Sequence, residues 1–399
     1  MFRFVEQGSN ALPSLHSSPG RQGRKRVHRE TQTKMAPQSH KTARSLPTPP
    51  PIPDDVAEDV LVRLPVKCLI RFRCVCKSWN ALTRDSSFVD KHLAESVRNS
   101  ELTEQRVLLS CRSRLNEHTF KTCSLYSLLN QPFTDPDAFD FIYPFWYFWG
   151  RNRIVGCCNG LICMTTDYGK VIVVNLGLRE INKLPGYFPG VFGFGYDSSN
   201  NDYKVVCKDT YYTSLRVYSL RTNSWRTHDY EFDLPDGCSN SEYVGGTLNW
   251  LVSCREQIVS IDLATETIVE VLQPDYGDGV KEGKLGLGVL EGCLCVVCDN
   301  SNQYADVWIM RQHGVRDSWT KMVSIRYPLS LKNSFPLYPL FISENGEILF
   351  QWHFTMTIYN TKENSFRAPL LPDFSPPACS VAARIYSETL VSPTAADWN

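Results

Sequence analysis

The sequence predicts a mainly β protein with a small N-terminal helical module, its β part a propeller-like ring of about six blades. Three observations lead there. A short stretch after a proline run has helical periodicity. The rest, residues 100–392, is a series of short β-type runs broken by Gly, Asn, Asp and Pro. Those runs recur at a nearly constant period. A two-sheet β-sandwich is the alternative packing for the same strands.

The chain opens on a basic leader. Residues 1–50 hold nine Lys/Arg against Glu6 and Glu30, a balance of +7, so the remaining residues carry −7 (33 basic, 40 acidic). This Ser/Pro/Gln-rich segment has little apolar area to bury and is expected to be disordered. Its run Arg21, Arg24, Lys25, Arg26, Arg29 has the composition of a nuclear import signal, and a solvated tail is the plainer reading. Initiation at Met35 rather than Met1 would remove the run.

The helical module follows over residues 51–95, after the prolines of 47–53. Asp54 is placed to cap a first helix. At about 100° per residue, Val56, Ala57, Val60, Leu61 and Leu64 gather on one side, with Glu58, Asp59 and Arg63 opposite. Pro65 ends that helix. A second helical run carries Leu69, Phe72, Val75, Cys76, Trp79 and Leu82 at spacings of three and four. A unit of this size cannot cover its own stripes, so a neighbouring domain or a partner must.

The β region is read from runs at 170–174, 203–207, 215–218, 258–261, 293–297 and 347–350, with hairpin dipeptides at Asn159-Gly160 and Asn345-Gly346. No long amphipathic helix alternates with the strands, which disfavours a parallel α/β sheet. One motif repeats: an apolar strand, a polar anchor, and a hydrophobic residue six positions on. The anchors and followers are Asn175 with Ile181, Ser219 with Trp225, Asp262 with Ile268, and Asn360 with Phe366. Met310 with Trp319 has three extra residues, and a weaker copy sits at Tyr126-Ser127. Anchors at 175, 219, 262, 310 and 360 are 44, 43, 48 and 50 apart, a blade-like period. The last run, 383–391, is expected to complete the first blade and close the ring.

Composition narrows the function. Lys plus Arg and Asp plus Glu both total 42, which argues against a dedicated nucleic-acid binder. No apolar run is long enough for a membrane span, and the N-terminus lacks a secretory core. The 15 cysteines are odd in number and scattered, and no Asn-x-Ser/Thr sequon occurs, which fits a reducing cytoplasmic or nuclear setting. Cys74/Cys76 and Cys293/Cys295/Cys298 lack further ligands at metal spacing, so buried thiols are expected and no metal or other cofactor is implied. His92, His118, His228, His313 and His353 stand in no recognised nucleophile frame, so no catalytic residue is assigned.

The residues also carry two resemblances. Residues 52–93 resemble an F-box, chiefly through Arg63-Leu64-Pro65-Val66-Lys67 and the run 71–79 ending in Lys77-Ser78-Trp79, with Phe88 and Leu93 at its close. Ile52-Pro53, Val56 and Asp59-Val60 replace the family's Leu-Pro, Leu and Glu-Ile with little change in polarity. The resemblance implies docking to a Skp-type adaptor and, through it, to cullin and RING subunits. The contact positions it implies are Ile52, Pro53, Val56, Val60, Leu61, Leu64, Pro65, Leu69, Val75 and Trp79. Trp79 is the leading hot-spot candidate, with packing inside the module as its other role.

The β region is similar to the plant F-box-associated interaction domain of the F-box/kelch-repeat-like family. The similarity rests on residues 156–163, Gly193-Phe194-Gly195-Tyr196-Asp197 with 202–206, and Gly246-Thr247-Leu248-Asn249-Trp250. It extends through 305–310 with Ser318-Trp319, and through 386–393. Val174-Asn175-Leu176 stands for the family's Trp-Asn-Pro, a change expected to loosen one turn. Together the resemblances imply a non-catalytic receptor subunit of an SCF-type ubiquitin ligase that holds a protein target for ubiquitination and degradation. The alternatives are a non-ligase interaction protein and a propeller that binds a ligand or glycan. The target itself is not identifiable. An aromatic-rich segment, 141–149, offers Tyr143, Trp146 and Trp149 as weak target-binding candidates, with inter-blade packing as their other role. Tyr211-Tyr212 and residues 275–283 are further candidate loop tips.

Overall fold

The computed structural model describes residues 53–98, 105–113, 118–130, 139–141, 152–166, 169–209, 214–228, 241–252, 257–276, 285–299, 304–327, 336–352, 355–369 and 378–394. The leader, Ile52, the candidates Tyr143, Trp146 and Trp149, and Tyr211-Tyr212 lie outside these residues.

Four helices come first: α1 (Asp54–Leu61), α2 (Val66–Phe72), α3 (Lys77–Leu82) and α4 (Ser86–Arg98). Pro53, not Asp54, is the N-cap of α1, and it offers no side-chain bond; its carbonyl accepts from Ala57 N at 3.0 Å. Helix α1 closes at Leu61, and Pro65 caps the start of α2, where its missing N–H costs nothing. The single second helix expected across 67–84 is two helices. Cys76 is extended (φ −153°, ψ 165°), and its Sγ accepts from Trp79 N at 3.5 Å, so the apolar spacing runs across a break.

Strands follow as six four-stranded antiparallel sheets. Blade 1 holds β1 (Gln105–Ser113), β2 (His118–Ser124) and β3 (Phe139–Phe141), with the helix α5 (Leu125–Leu129) after β2. Blade 2 is β4 (Asn152–Cys158), β5 (Leu161–Thr166), β6 (Val171–Asn175) and β7 (Glu180–Lys183). Blade 3 is β8 (Gly190–Asp197), β9 (Asp202–Asp209), β10 (Leu215–Ser219) and β11 (Ser224–His228). Blade 4 is β12 (Glu242–Val244), β13 (Thr247–Val252), β14 (Gln257–Asp262) and β15 (Ile268–Val271). Blade 5 is β16 (Leu285–Leu290), β17 (Cys293–Asp299), β18 (Tyr304–Met310) and β19 (Trp319–Arg326). Blade 6 is β20 (Leu337–Ile342), β21 (Glu347–Trp352), β22 (Thr355–Asn360) and β23 (Ser365–Arg367).

The ring closes with β24 (Ala378–Ser387), which takes the innermost place of blade 1 against β1 (Val107↔Ile385, Leu109↔Ala383). The expected closing run was 383–391, but the strand ends at Ser387. The residues beyond it cross to the helical module instead.

The repeat has a physical cause. Each anchor ends the third strand of its blade and opens a four-residue turn. Asn175 Oδ1 accepts from Leu178 N (2.9 Å), Asp262 Oδ1 from Thr265 N (2.8 Å), and Asn360 Oδ1 from Glu363 N (3.1 Å). The turn's last residue is left-handed: Arg179, Asn223, Glu266 and Asn364 have φ of 58°, 52°, 58° and 51°. The residue before the anchor then pairs with the follower, as in Tyr218↔Trp225 and Tyr359↔Phe366. In blade 5 Met310 itself pairs with Trp319, across a turn that holds a 3-10 stretch. Tyr126-Ser127 also follows a third strand, but there α5 replaces the turn. Asn159-Gly160 is the hairpin expected (φ 48° and 77°), whereas at Asn345-Gly346 only the glycine is left-handed (φ 82°).

Blades pack closely enough that side chains are excluded at the contacts. A Cβ on Gly286 would lie 1.9 Å from the Leu337 carbonyl oxygen, so blades 5 and 6 meet through bare backbone. Between blades 3 and 4, buried Lys204 lies 3.0 Å from both Asp197 and Glu266, and Glu266 also holds Arg226.

Candidate functional site

Helix α1 divides its apolar residues between two environments. Ala57 and Leu61 turn into the module's core, while Val56 (48% exposed) and Val60 (56%) stay on the surface, one turn apart. Val75 (62% exposed), in the break between α2 and α3, is exposed too, as are Pro53 and Pro65. Arg63, Lys67 and Arg71 are exposed on the same module. Exposed valines on a module this small are candidates for contact with a partner.

The other expected contact residues sit deeper. Leu61 and Leu69 are buried with Val66 and Phe88, and Leu64 and Trp79 are half-buried against that core. Trp79 stacks at a tilt on Phe72, with centroids 5.4 Å apart. The ten positions are thus not one surface. Of the nine described, five are exposed, two half-buried and two internal.

The core holding them contains a residue from the far end of the chain. Leu390 fills it beside Leu61, Val66, Leu69 and Phe88, and Leu178 from the turn after β6 packs at its edge. A Cβ on Gly177 would reach Val66 Cγ1 at 3.4 Å, so this turn lies directly on α2. Helix α4 is pressed on the ring from the same side, with Val89 and Leu93 against the core of blades 2 and 3. His92 of α4 is buried; its Nε2 lies 2.9 Å from the Leu64 carbonyl, while Nδ1 has no partner among the described residues. Burial holds its imidazole below the usual value and keeps it neutral.

The segment after β24 locks the two units together. Asn175 Nδ2 donates to the carbonyls of Thr389 (3.0 Å) and Val391 (2.7 Å). Thr389 Oγ1 donates to Asn159 O (2.9 Å), and Asn182 Nδ2 to Pro393 O (2.9 Å). The turn at Val174-Asn175-Leu176, expected to be loose, is therefore tied from both sides.

The six-bladed ring encloses cavities along its axis, lined by the first strands of the blades. Arg384 and Glu242 meet there at 3.4 Å, and burial raises the Cys157 thiol to about 12, so it stays protonated. Among the described residues no group of three or more His, Cys, Asp and Glu could hold a metal ion. His313 contacts Asn249 Oδ1 (3.0 Å) and Thr247 Oγ1 (3.2 Å), and His228 pairs with Glu266. Cys295 and Cys298 are buried within β17, and Cys74 and Cys76 are exposed thiols. No helix among the described residues is long and apolar enough to cross a membrane.

Sequence reasoning found the exposed valines through helical period. It missed Leu390, Leu178 and the Arg384–Glu242 pair, which are brought together only by ring closure and carry no local pattern.

Comparison with known proteins agrees with this architecture. The F-box domain family matches residues 51–91, and the F-box associated beta propeller domain family matches residues 151–370. An Arabidopsis thaliana F-box/kelch-repeat protein is 30% identical over 88% of this chain and 98% of its own. The F-box protein CPR1 of Arabidopsis thaliana is 28% identical over 74% of this chain and 78% of its own. Among solved structures, TolB from Acinetobacter baumannii aligns with 75% of this chain and 72% of its own, at 10% identity and a TM-score of 0.46. A helical F-box seated on a six-bladed ring, with family matches to both parts, places the chain among the plant F-box proteins that carry an F-box associated β-propeller domain.

Proposed function

We propose that the chain is the substrate-recognition subunit of an SCF-type ubiquitin ligase. Its F-box docks a Skp-type adaptor, which links it to cullin and RING subunits, and its propeller holds a protein target. The supporting observation is the exposed residues Val56, Val60 and Val75, left uncovered while Leu61, Val66, Leu69 and Phe88 pack with Leu390 and Leu178 of the β domain. Contact by these residues with Pro53 and Pro65 would anchor an interface of about 800 Å² per partner. Leu61 and Leu69 act by shaping that surface from beneath. The functional units are residues 51–95 and 100–392, preceded by the basic leader, and the setting is the cytoplasm or nucleus.

The chain supplies proximity rather than chemistry. A target lysine held near charged ubiquitin reacts at a raised effective concentration. The first-to-second and third-to-fourth strand turns face the F-box, as Leu178 and the Asn159-Gly160 hairpin do. The opposite face is left for the target.

The test is recovery of a Skp-type adaptor and cullin by the wild-type chain and by a Val56→Asp, Val60→Asp double variant. Because both valines are exposed, the variant should keep its fold, checked by circular dichroism, and lose adaptor at least tenfold. No recovery by folded wild type would end the ligase reading and leave a non-ligase interaction protein. Recovery without any effect of the variant would end the assignment of the docking face.

A further inference from the structure

The axial cavities hold chemistry that adaptor docking does not use. Two adjoining cavities, of about 230 and 680 Å³, share Cys157, Val289, Leu340 and Ile385 in their walls. In the smaller one Arg384 of β24 faces Glu242 of β12, a pair 142 residues apart in sequence. Their Nη2–Oε1 distance is 3.4 Å, well beyond the roughly 2.7–2.9 Å of a well-formed charged hydrogen bond. Among the described residues Arg384 Nη1 donates only to the carbonyl of Ala383, in its own strand (3.0 Å). Its buried Nε has no acceptor among the described residues, and the neighbouring buried Ser241 hydroxyl also lacks a partner among them. A guanidinium has five donors, and a charge in such a place is normally well compensated. Here it stands among Phe194, Val289, Leu340 and Ile385 with one distant carboxylate.

The charge pattern selects a ligand class. Arg384 is the only cation among the described residues lining the smaller cavity, and Glu242 is beside it, so a dianion such as phosphate is poorly matched. A cation is poorly matched too, since Glu242 already faces a guanidinium. A single carboxylate fits the planar fork of arginine with two parallel bonds. Burial raises the Glu242 pKa, which eases its yielding of Arg384 to an incoming acid. We propose that the centre of the propeller binds a small monocarboxylic acid, its carboxylate on Arg384 and its apolar body against Val289, Leu340 and Ile385.

The experiment uses the full chain with phenylacetate and hexanoate as probes, and acetate and phenylacetamide as controls. Binding is followed by saturation-transfer NMR and calorimetry. The two acids should bind wild type, with acetate and the amide at least tenfold weaker. Arg384→Met should weaken the acids at least tenfold, whereas Glu242→Gln should tighten them several-fold by releasing the guanidinium. Failure of both acids to bind folded wild type would mean a water-filled channel and overturn the proposal. So would equal binding of acid and amide, or weaker binding by Glu242→Gln. Should Arg384→Met fail to fold, the acid–amide comparison and Glu242→Gln still decide. Docking of the adaptor lies on another surface, so its outcome is read separately.

Discussion

Leu390→Ala should loosen the F-box although the residue lies some 300 positions downstream of it. Leu390 is 4% exposed and sits among Leu61, Val66, Leu69 and Phe88. The change removes the equivalent of about three methylene-sized groups at roughly 0.8 kcal/mol each, before any cavity penalty. Buried Leu→Ala changes cost about 2–5 kcal/mol in all, and a site at a domain junction has some freedom to collapse, so about 3 kcal/mol is expected. That corresponds to about a hundredfold rise in local opening. Amide hydrogen exchange read by mass spectrometry on the full chain is the right assay, because a two-unit protein need not unfold in one step. Peptides from α2 and α4 should exchange about a hundredfold faster while those from β13 and β17 stay protected. Unchanged protection of α2 and α4 would refute the claim that the C-terminal segment completes the F-box core.

Two further outcomes follow from the packing. Gly286→Ala places a Cβ 1.9 Å from the Leu337 oxygen and should cost at least about 2 kcal/mol, read as a lower urea midpoint. Gly156→Ala, whose nearest neighbour would be at 3.5 Å, serves as a control that should change little. His92, its pKa lowered from 6.5 by burial, binds protons less readily when folded than when unfolded. F-box stability should therefore be full above that ordinary value and fall as pH drops from it toward the depressed folded value. Exchange of α4 amides against pH should show this, and His92→Gln, which keeps a donor for Leu64, should flatten the slope.

What could be read from the sequence was whatever repeats locally. The anchors Asn175, Asp262 and Asn360 are visible because each must cap its own turn, and the period between them is the period of the blades. The Val56–Val60 stripe is visible because helices place such residues on one side. Periodicity does not say which part of a stripe is covered. Ala57 and Leu61 are buried while Val56 and Val60 are not, and the difference is made by what the fold lays against them, including α4 and a leucine from beyond β24. The same limit hid the split between α2 and α3, since spacings of three and four continue through Cys76. The Arg384–Glu242 pair was out of reach for a different reason: neither residue sits in a pattern, and only closure of the ring makes them neighbours.

The two faces of the ring carry unequal constraints, and this bears on how such proteins can diverge. On the near face, the turn at Gly177-Leu178 rests on α2, and the Asn159-Gly160 hairpin is clasped by Thr389. A substitution there disturbs the F-box and the ring at once. The strand directions bring the ends of the second strands and of the fourth strands to the other end of the ring. Substitutions at those strand ends do not touch the F-box seat. Under the proposed receptor role, a duplicated gene of this design can therefore acquire a new target while its daughter proteins still join the same assembly, so recognition drifts freely on a fixed mount.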